Sequence, residues 1–262
     1  MPIVVQMDPK PGSRQESDPM TRRITLQRYL NPLLRGDREA CRHIAHSVVE
    51  GLTNPAEVYG ELIWPAMEMV EQLYRDDRIN AAVEHMATRI NRMIADQMQT
   101  QLSRSEANGK RILIACADSE PEELGAQMCA DLFESRGWDV YFLGGGVPND
   151  EIKSLVGQLR PDILMICGTH PSGVPGVRKL IDMIREVGVN PTMNVMVSGG
   201  VFNRAEGLWD EVNADLFAKD VREALTVAEA AKARKPEVRV SGAPKKRRRR
   251  RRSQLLSTAN AS

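Results

Sequence analysis

The sequence contains few cysteines and few aromatic residues. Cys41, Cys116, Cys129 and Cys167 are scattered over 262 residues, and no two of them form a Cys-x-x-Cys pair. This spacing argues against a disulfide framework and against a zinc knuckle, so we expect reduced, mostly buried thiols. Aromatic residues make up only 4% of the chain. Recognition of single-stranded nucleic acid by base stacking is therefore poorly supported.

Long apolar runs and phosphate-binding loops are also missing. No segment approaches the roughly 20 apolar residues that a membrane-spanning helix needs, and the first residues lack the pattern of a signal peptide. We therefore expect a cytoplasmic protein without membrane contact. The glycine runs at 144–146 and 198–200 match neither G-x-G-x-x-G nor the phosphate-binding loop with its lysine. A dinucleotide or nucleoside triphosphate site is not favoured.

The charge of the chain is unevenly distributed. The formal net charge is +1, yet the eight residues Lys245–Arg252 are all basic, so the rest of the chain is net acidic. Such a run can neutralise phosphates and give salt-sensitive, nonspecific nucleic-acid contact. It can equally fold back on the acidic body or remain a solvated terminus.

The first half of the chain carries only helical signals. Residues 1–21 are polar and rich in Pro, Gly and Ser, which predicts disorder. Between residues 22 and 104, apolar positions recur at helical spacing, with Asp37 and Asn54 as predicted N-caps and a new helix predicted to start at Pro65. Several helices joined by short loops indicate a four-helix-type bundle, which we expect to cover the second domain as a cap.

From residue 108 to 234, apolar runs of strand length alternate with amphipathic helices. The predicted strands are RILIAC, DVYFLG, DILMIC, NVMVSG and DLFA, and the predicted helices cover about 122–136, 149–158, 174–187, 204–212 and 220–233. Runs that are apolar throughout indicate a parallel sheet covered on both faces. We therefore predict an α/β domain with a doubly wound, five-stranded parallel sheet of the flavodoxin or Rossmann-like type. Residues 235–262 are charged and polar, and this composition predicts a disordered basic tail.

The loops after the predicted strands suggest a known family. A helical bundle followed by a domain with the segments ADSEPEELG, LGGGVP, CGT and SGG resembles the cobalamin-binding module of corrinoid proteins and cobalamin-dependent photoreceptor regulators. That family has a D-x-H-x-x-G loop, an S-x-L segment 41 residues later and a Gly-Gly pair. Here 41 residues separate Gly125 from Cys167, and Gly199-Gly200 follows the fourth strand. The resemblance implies cobalamin as the cofactor.

The resemblance also implies a set of binding residues below the cofactor. The family's aspartate aligns with Glu120, its histidine with Glu122 and its glycine with Gly125. The family's serine and leucine align with Cys167 and Thr169. The family's Gly-Gly pair, which makes space for the nucleotide tail of the cofactor, corresponds to Gly199 and Gly200. The family histidine binds cobalt from below, and a carboxylate is a harder, poorer ligand for that metal. Cobalamin bound with its own base attached, weaker binding, another tetrapyrrole such as heme, and loss of the cofactor all remain open. The glutamates also fit the positive end of a helix.

A second set of residues corresponds to the upper face of the cofactor. In the photoreceptor regulators, a tryptophan ten residues before a Glu-His pair covers that face; here Tyr74 stands ten residues before Glu84-His85. A phenol ring can still cover an apolar surface. His85 is the predicted metal ligand, and His170, after the third strand, is a further candidate. A lone histidine in a bundle helix is, however, more often a hydrogen-bonded or exposed residue than a metal ligand.

The leading function hypothesis is a non-enzymatic, cobalamin-binding sensor or regulator that acts on a regulatory protein partner and can form a homo-oligomer. The alternatives are a corrinoid methyl carrier for a methyltransferase system, a heme-binding variant, and a ligand-free protein-interaction module. No helix-turn-helix precedes the bundle, so direct operator recognition is not expected.

Overall fold

The computed structural model describes residues 19–51, 56–117 and 123–236, with side chains from Thr25 onward in the first helix. The predicted N-cap Asn54 and almost all of the two predicted disordered segments, 1–21 and 235–262, lie outside these residues. One boundary is corrected, because the first helix already begins at Pro19.

The amino-terminal part is a bundle of helices joined by short connections. Its elements are α1 (Pro19–Arg35), α2 (Arg38–Glu50), a π-helical turn (Tyr59–Ile63), α3 (Trp64–Arg75) and α4 (Ala81–Gln99). Asp37 caps α2 as predicted, since its carboxylate accepts the Ala40 N–H at 3.0 Å. Asn80 caps α4 in the same way, with Val83 N–H as donor at 3.0 Å.

The helix predicted to start at Pro65 begins one residue earlier, at Trp64, and follows directly on the π-helical turn. Proline lacks the N–H that an α-helix would use, and its ring crowds the carbonyl four residues earlier, here that of Glu61. A π-turn, which is wider than an α-turn, relieves this crowding. The turn also directs Tyr59 toward the second domain, where its hydroxyl donates to Asp131 at 2.9 Å.

The second part is a five-stranded, all-parallel sheet with helices on both faces, as predicted. The strands are β1 (Arg111–Cys116), β2 (Asp139–Gly144), β3 (Ile163–Cys167), β4 (Asn194–Ser198) and β5 (Leu216–Ala218), in the spatial order β2-β1-β3-β4-β5. The order reverses between β1 and β3, and ligands of such folds bind at that point, beyond the carboxyl ends of the strands.

The helices of this domain are close to the predicted ranges, with one correction. They are α5 (Leu124–Ser135), α6 (Asn149–Leu159), α7 (Val174–Val187), α8 (Gly200–Arg204), α9 (Leu208–Glu211) and α10 (Val221–Ala230). The single helix predicted over 204–212 is two short helices. The break falls at Ala205, which is extended, and at Gly207, which adopts a left-handed conformation.

Alternate strand residues face two different cores, because successive side chains of a strand point to opposite faces. Leu113 and Ala115 of β1 pack with α6 and α7 on one face. Ile112 and Ile114 belong to the other core, which continues through α5 and α10 into the bundle. The two parts of the molecule therefore share one continuous hydrophobic core.

The segment 100–110 between α4 and β1 is fixed to the turn that follows α5. The Ser105 N–H donates to the Ser135 carbonyl at 2.9 Å, and the Asn108 N–H donates to the Gly137 carbonyl at 2.9 Å. Gly137 has a φ of +78°, and a Cβ there would lie 2.0 Å from the Glu106 carbonyl oxygen. Only glycine permits this close approach.

None of the helices in the described ranges is long and apolar enough to cross a membrane. The expected cytoplasmic location and homo-oligomer stay predictions, and the basic run Lys245–Arg252 lies outside the described residues.

Candidate functional site

A large cleft lies between the bundle and the carboxyl edge of the sheet, where the strand order reverses. It contains about 1290 Å³ of space between atoms, part of it open to solvent. A gap between the two parts is thus present where the sequence predicted one, and residues of both parts line it.

The bundle wall of the cleft is formed by one face each of α3 and α4. Side chains three or four residues apart share a helix face, and that spacing relates the lining residues of each helix. From α3 these are Trp64, Met67, Glu68, Val70, Glu71 and Tyr74, and from α4 they are Glu84, His85, Thr88 and Asn91. The α3 face is largely apolar and includes two aromatic rings, while the α4 face is polar.

The opposite wall consists of the loops and helix starts that follow β1, β3 and β4. Residues of all three segments line the cleft: Leu124, Gly125 and Ala126; Cys167, Gly168, Thr169 and His170; Gly199, Gly200 and Asn203. The parallel sheet brings these segments together because its strands all end at the same edge. Much of this wall is backbone, so a flat ligand can approach it closely.

The structure brings most of the predicted site residues together. Nine of the eleven line this one cleft: Tyr74, Glu84, His85, Gly125, Cys167, Thr169, His170, Gly199 and Gly200. The other two, Glu120 and Glu122, lie outside the described residues. Tyr74, Glu84 and His85 flank the connection between α3 and α4, so they share one end of the cleft.

His85, the predicted metal ligand, lies at this end with its side chain 64% exposed. Its Nε2 atom is 3.5 Å from Glu84 Oε2. Within the described ranges, no group of three or more His, Cys, Asp or Glu side chains is arranged to hold a metal ion. Cobalt ligation by His85 stays a prediction.

Gly199 and Gly200 lie in the sheet wall of the cleft, directly after β4. Gly199 has a φ of +102°, and a Cβ there would lie 2.3 Å from the Gly168 carbonyl oxygen. A Cβ on Gly200 would meet the side chains of Arg204 and Glu71. Gly199 thus allows the backbones after β3 and β4 to pack against each other. Its expected role in making space for a nucleotide tail stays a prediction.

Charged groups join the two walls at one side of the cleft. The Arg204 guanidinium of α8 pairs with the Glu71 carboxylate of α3 and also donates to the Thr169 carbonyl. Nearby, burial raises the pKa of Glu68, while the indole N–H of Trp64, which donates to Glu68 at 3.0 Å, opposes that rise. The bundle wall of the cleft therefore carries the carboxylates Glu68 and Glu71 on an otherwise largely apolar face. Arg204 links Glu71 to the sheet.

Sequence reasoning missed Trp64, Met67, Thr88 and Asn91 as lining residues. Helical spacing is the signal that could have found them, because these side chains share a face with Tyr74 on α3 or with Glu84 on α4. Trp64 is the largest of them. Its ring lies 3.5 Å from where a Gly125 Cβ would be, so it reaches across to the start of α5.

Both parts of the chain match known protein families. Residues 110–228 match the B12 binding domain family, and residues 25–98 match a second family that is also described as a B12 binding domain. The dimethylamine corrinoid protein 1 of Methanosarcina acetivorans is 21% identical over 184 residues, which are 68% of this chain and 84% of that protein. The trimethylamine corrinoid protein of Methanosarcina barkeri is 21% identical over 201 residues, which are 74% of this chain and 90% of that protein.

The monomethylamine corrinoid protein of Methanosarcina barkeri has a similar solved structure. It superimposes with a TM-score of 0.71 at 13% sequence identity, covering 79% of this chain and 98% of that one. The two proteins share a fold in which a helical bundle precedes the parallel α/β domain.

Proposed function

The chain belongs to the B12-binding domain family, with the helical and the α/β part both present, and from this we propose that it is a corrinoid protein that carries a methyl group for a methyltransferase system. Cobalamin is its cofactor, as in the corrinoid relatives. The observation that supports the proposal most directly is the open cleft, which the two matched parts form together.

The shape and the lining residues of the cleft suit a flat ring that carries amide groups at its edge. When bound, cobalamin supplies a cobalt centre that accepts and releases a methyl group. Trp64, Met67 and Val70 offer an apolar surface for one face of the ring. The glycines of the opposite wall allow its backbone to approach the other face. The carboxylates of Glu68 and Glu84 can accept hydrogen bonds from amide groups at the ring edge.

The protein's own residues would bind the cofactor and orient it between the two walls. In this proposal the bundle wall would cover one face of a bound corrinoid, and a partner enzyme would reach that face once the wall moved. In this proposal the chain is not itself an enzyme, and its protein partners are the methyltransferases that load and unload it.

The comparisons favour the methyl carrier over the sensor that led the sequence-based hypotheses. The relatives at 21% identity are named corrinoid proteins of dimethylamine and trimethylamine. No relative named above is a regulator. Regulatory action and nucleic-acid contact stay predictions from the sequence.

Titration of the purified protein with hydroxo-, methyl- and adenosylcobalamin tests cofactor binding. We expect co-elution of cobalamin with the protein in gel filtration and a shift in the visible spectrum. Hemin serves as a control tetrapyrrole and should bind more weakly. Absence of co-elution with all three cobalamins would contradict the proposal.

A second experiment tests the carrier against the sensor. The cobalamin-loaded protein is reduced without oxygen and treated with isotopically labelled methyl iodide; a carrier requires that the bound cobalt accept the methyl group with loss of iodide, so absence of label after gel filtration would contradict the carrier. In parallel, light scattering follows the adenosylcobalamin-loaded protein before and after illumination. A light-dependent change in mass would favour the sensor.

A further inference from the structure

Asn91 has a buried polar group for which the described residues offer no partner. The residue is 1% exposed, lies on α4 and lines the cleft. Its Oδ1 atom accepts a hydrogen bond from the hydroxyl of Tyr29 at 2.7 Å, and Tyr29 is fully buried in α1. Its Nδ2 atom is buried and makes no hydrogen bond among the described residues.

An unpaired buried amide nitrogen is costly. Nearly all buried polar groups in folded proteins are hydrogen-bonded, and leaving one unpaired forfeits its interaction with water. A leucine at this position would fill a similar volume without that penalty. The bundle therefore tolerates a polar side chain where packing alone would favour an apolar one, and Tyr29 fixes the orientation of that side chain.

The surroundings of Asn91 indicate what the amide faces. Glu84, Thr88 and Asn91 follow one another at intervals of four and three residues, and all three line the cleft. The Thr88 hydroxyl lies 3.4 Å from Glu84 Oε1, to which it donates. Glu84 can only accept hydrogen bonds when ionised and the Thr88 hydroxyl donates to it, so of these three residues Asn91 is the one with an unused buried donor.

We propose that Asn91 is a ligand-recognition residue, positioned by Tyr29, whose amide N–H groups donate to an acceptor on the cofactor. This rests on the proposed function, because the acceptor belongs to a corrinoid in the cleft. The acceptor is a carbonyl, hydroxyl or ring nitrogen. A peripheral amide of the corrin ring and a polar axial group both have such atoms, whereas an axial methyl group has none.

The test uses the double substitution Tyr29→Phe with Asn91→Leu, which removes both buried polar groups at once. Because an unpaired amide disappears from the unliganded protein, we expect its melting temperature to be equal to or above that of the wild type. The affinity for cobalamin, measured by visible titration, should fall roughly tenfold through loss of a buried hydrogen bond. Asn91→Asp offers only acceptors and should also weaken binding.

Asn194→Leu is the matched control. Asn194 is 7% exposed, and its amide already donates to the Lys232 carbonyl at 2.9 Å, at the opposite edge of the sheet. Its replacement should lower the melting temperature and leave the affinity for cobalamin unchanged. The two variants thus separate a residue kept for binding from one kept for stability.

A comparison of the affinities for methylcobalamin and adenosylcobalamin identifies the acceptor. An equal loss of affinity for both in the double variant assigns the acceptor to the corrin ring, and a loss confined to adenosylcobalamin assigns it to the axial group. Unchanged affinity of the double variant for both compounds would overturn this inference. If the wild type itself binds no cobalamin, it is the proposed function that fails.

Discussion

At the scale of single residues, Glu122 bears most directly on how the cofactor is held. The family resemblance aligns it with the cobalt-binding histidine, and a carboxylate is a poor substitute for imidazole on cobalt. We expect wild-type protein to bind cobalamin with its own base attached. Glu122→His should displace that base and give the visible spectrum of the base-off form.

Glu123→His is the matched control for this prediction. The Glu123 carboxylate lies against Gly144 and is not part of the cleft. A histidine there should leave the spectrum of the bound cobalamin unchanged. Identical spectra for wild type and Glu122→His would show that position 122 does not reach the cofactor.

Asp131 is a second single residue with a measurable consequence. It lies on α5 and is 5% exposed, and it accepts hydrogen bonds from Tyr59 Oη and Gln99 Nε2, each at 2.9 Å. Burial raises the pKa of its carboxyl group to about 6, above the roughly 3.9 expected in the unfolded chain. The folded state holds the proton more tightly, so this group's contribution to the free energy of unfolding is largest below about pH 4 and is lost as the pH rises to about 6.

Asp131→Asn should remove this pH dependence. The asparagine remains neutral, can accept from Gln99 and can donate to Tyr59, whose hydroxyl then donates to the Ala95 carbonyl. We expect the variant to exceed the wild type in free energy of unfolding by on the order of 2 kcal/mol at pH 8 and to equal it near pH 4. Urea unfolding at several pH values measures the difference. Asp182→Asn removes a partly exposed carboxylate on α7 and should keep the pH dependence that Asp131 contributes.

At the scale of elements, the loops after β3 and β4 depend on the backbone contact at Gly199. Gly199→Ala forces a Cβ into a position 2.3 Å from the Gly168 carbonyl oxygen and strains a positive φ. We expect a loss of about 3 kcal/mol in free energy of unfolding, and weaker cobalamin binding because the loops must separate. Gly146→Ala is the control, since its φ is also positive but no atom lies within 4 Å of the added Cβ. An equal loss in both variants would mean that the close contact contributes nothing.

Much of this element architecture could be predicted, because the strands are short apolar runs bounded by turn residues. The bounds of β1 and β2 were predicted to the residue, and those of β3, β4 and β5 to within one residue. The π-helical turn was not predicted, since it arises from crowding around Pro65 and leaves no mark on hydrophobic periodicity. The break at Gly207 was missed because residues 204–212 are amphipathic across it.

The site residues in the loops after the strands were predictable from their sequence spacing. Those on the bundle helices were much less predictable. Gly125, Cys167 and Gly199 come from segments with recognisable spacing. Trp64 and Asn91 belong to helix faces whose function depends on which face meets the sheet, and that is decided by tertiary packing. The unpaired amide of Asn91 is visible only when all its neighbours are in place.

At the scale of the whole molecule, a ligand in the cleft contacts both parts and should stabilise them together. Cobalamin at 100 times its dissociation constant should add about 2.7 kcal/mol to the free energy of unfolding, and the melting temperature should rise with cobalamin concentration. Scanning calorimetry measures this shift. Two separate transitions, only one of them moved by cobalamin, would contradict binding between the parts.

The end of the described chain lies far from the cleft. The Arg234 N–H donates to the Thr192 carbonyl and the Asn194 amide to the Lys232 carbonyl, at the amino edge of the sheet. The described chain therefore ends on the side opposite the cleft. Removal of residues 237–262 should leave cobalamin affinity unchanged and abolish any salt-sensitive binding to a nonspecific DNA duplex, as gel-shift titrations would show. A drop in cobalamin affinity would place the tail at the cleft.

The way the connecting segment is fastened sets how the bundle can move. Since Ser105 and Asn108 are held by the turn after α5, a bundle displaced from the sheet would stay attached through residues 100–104, which reach at most about 17 Å when fully extended. A partner enzyme that displaces the bundle would thus contact an exposed cofactor while the bundle remains attached within the reach of this connection. Its recapture is an intramolecular step, fast and independent of protein concentration.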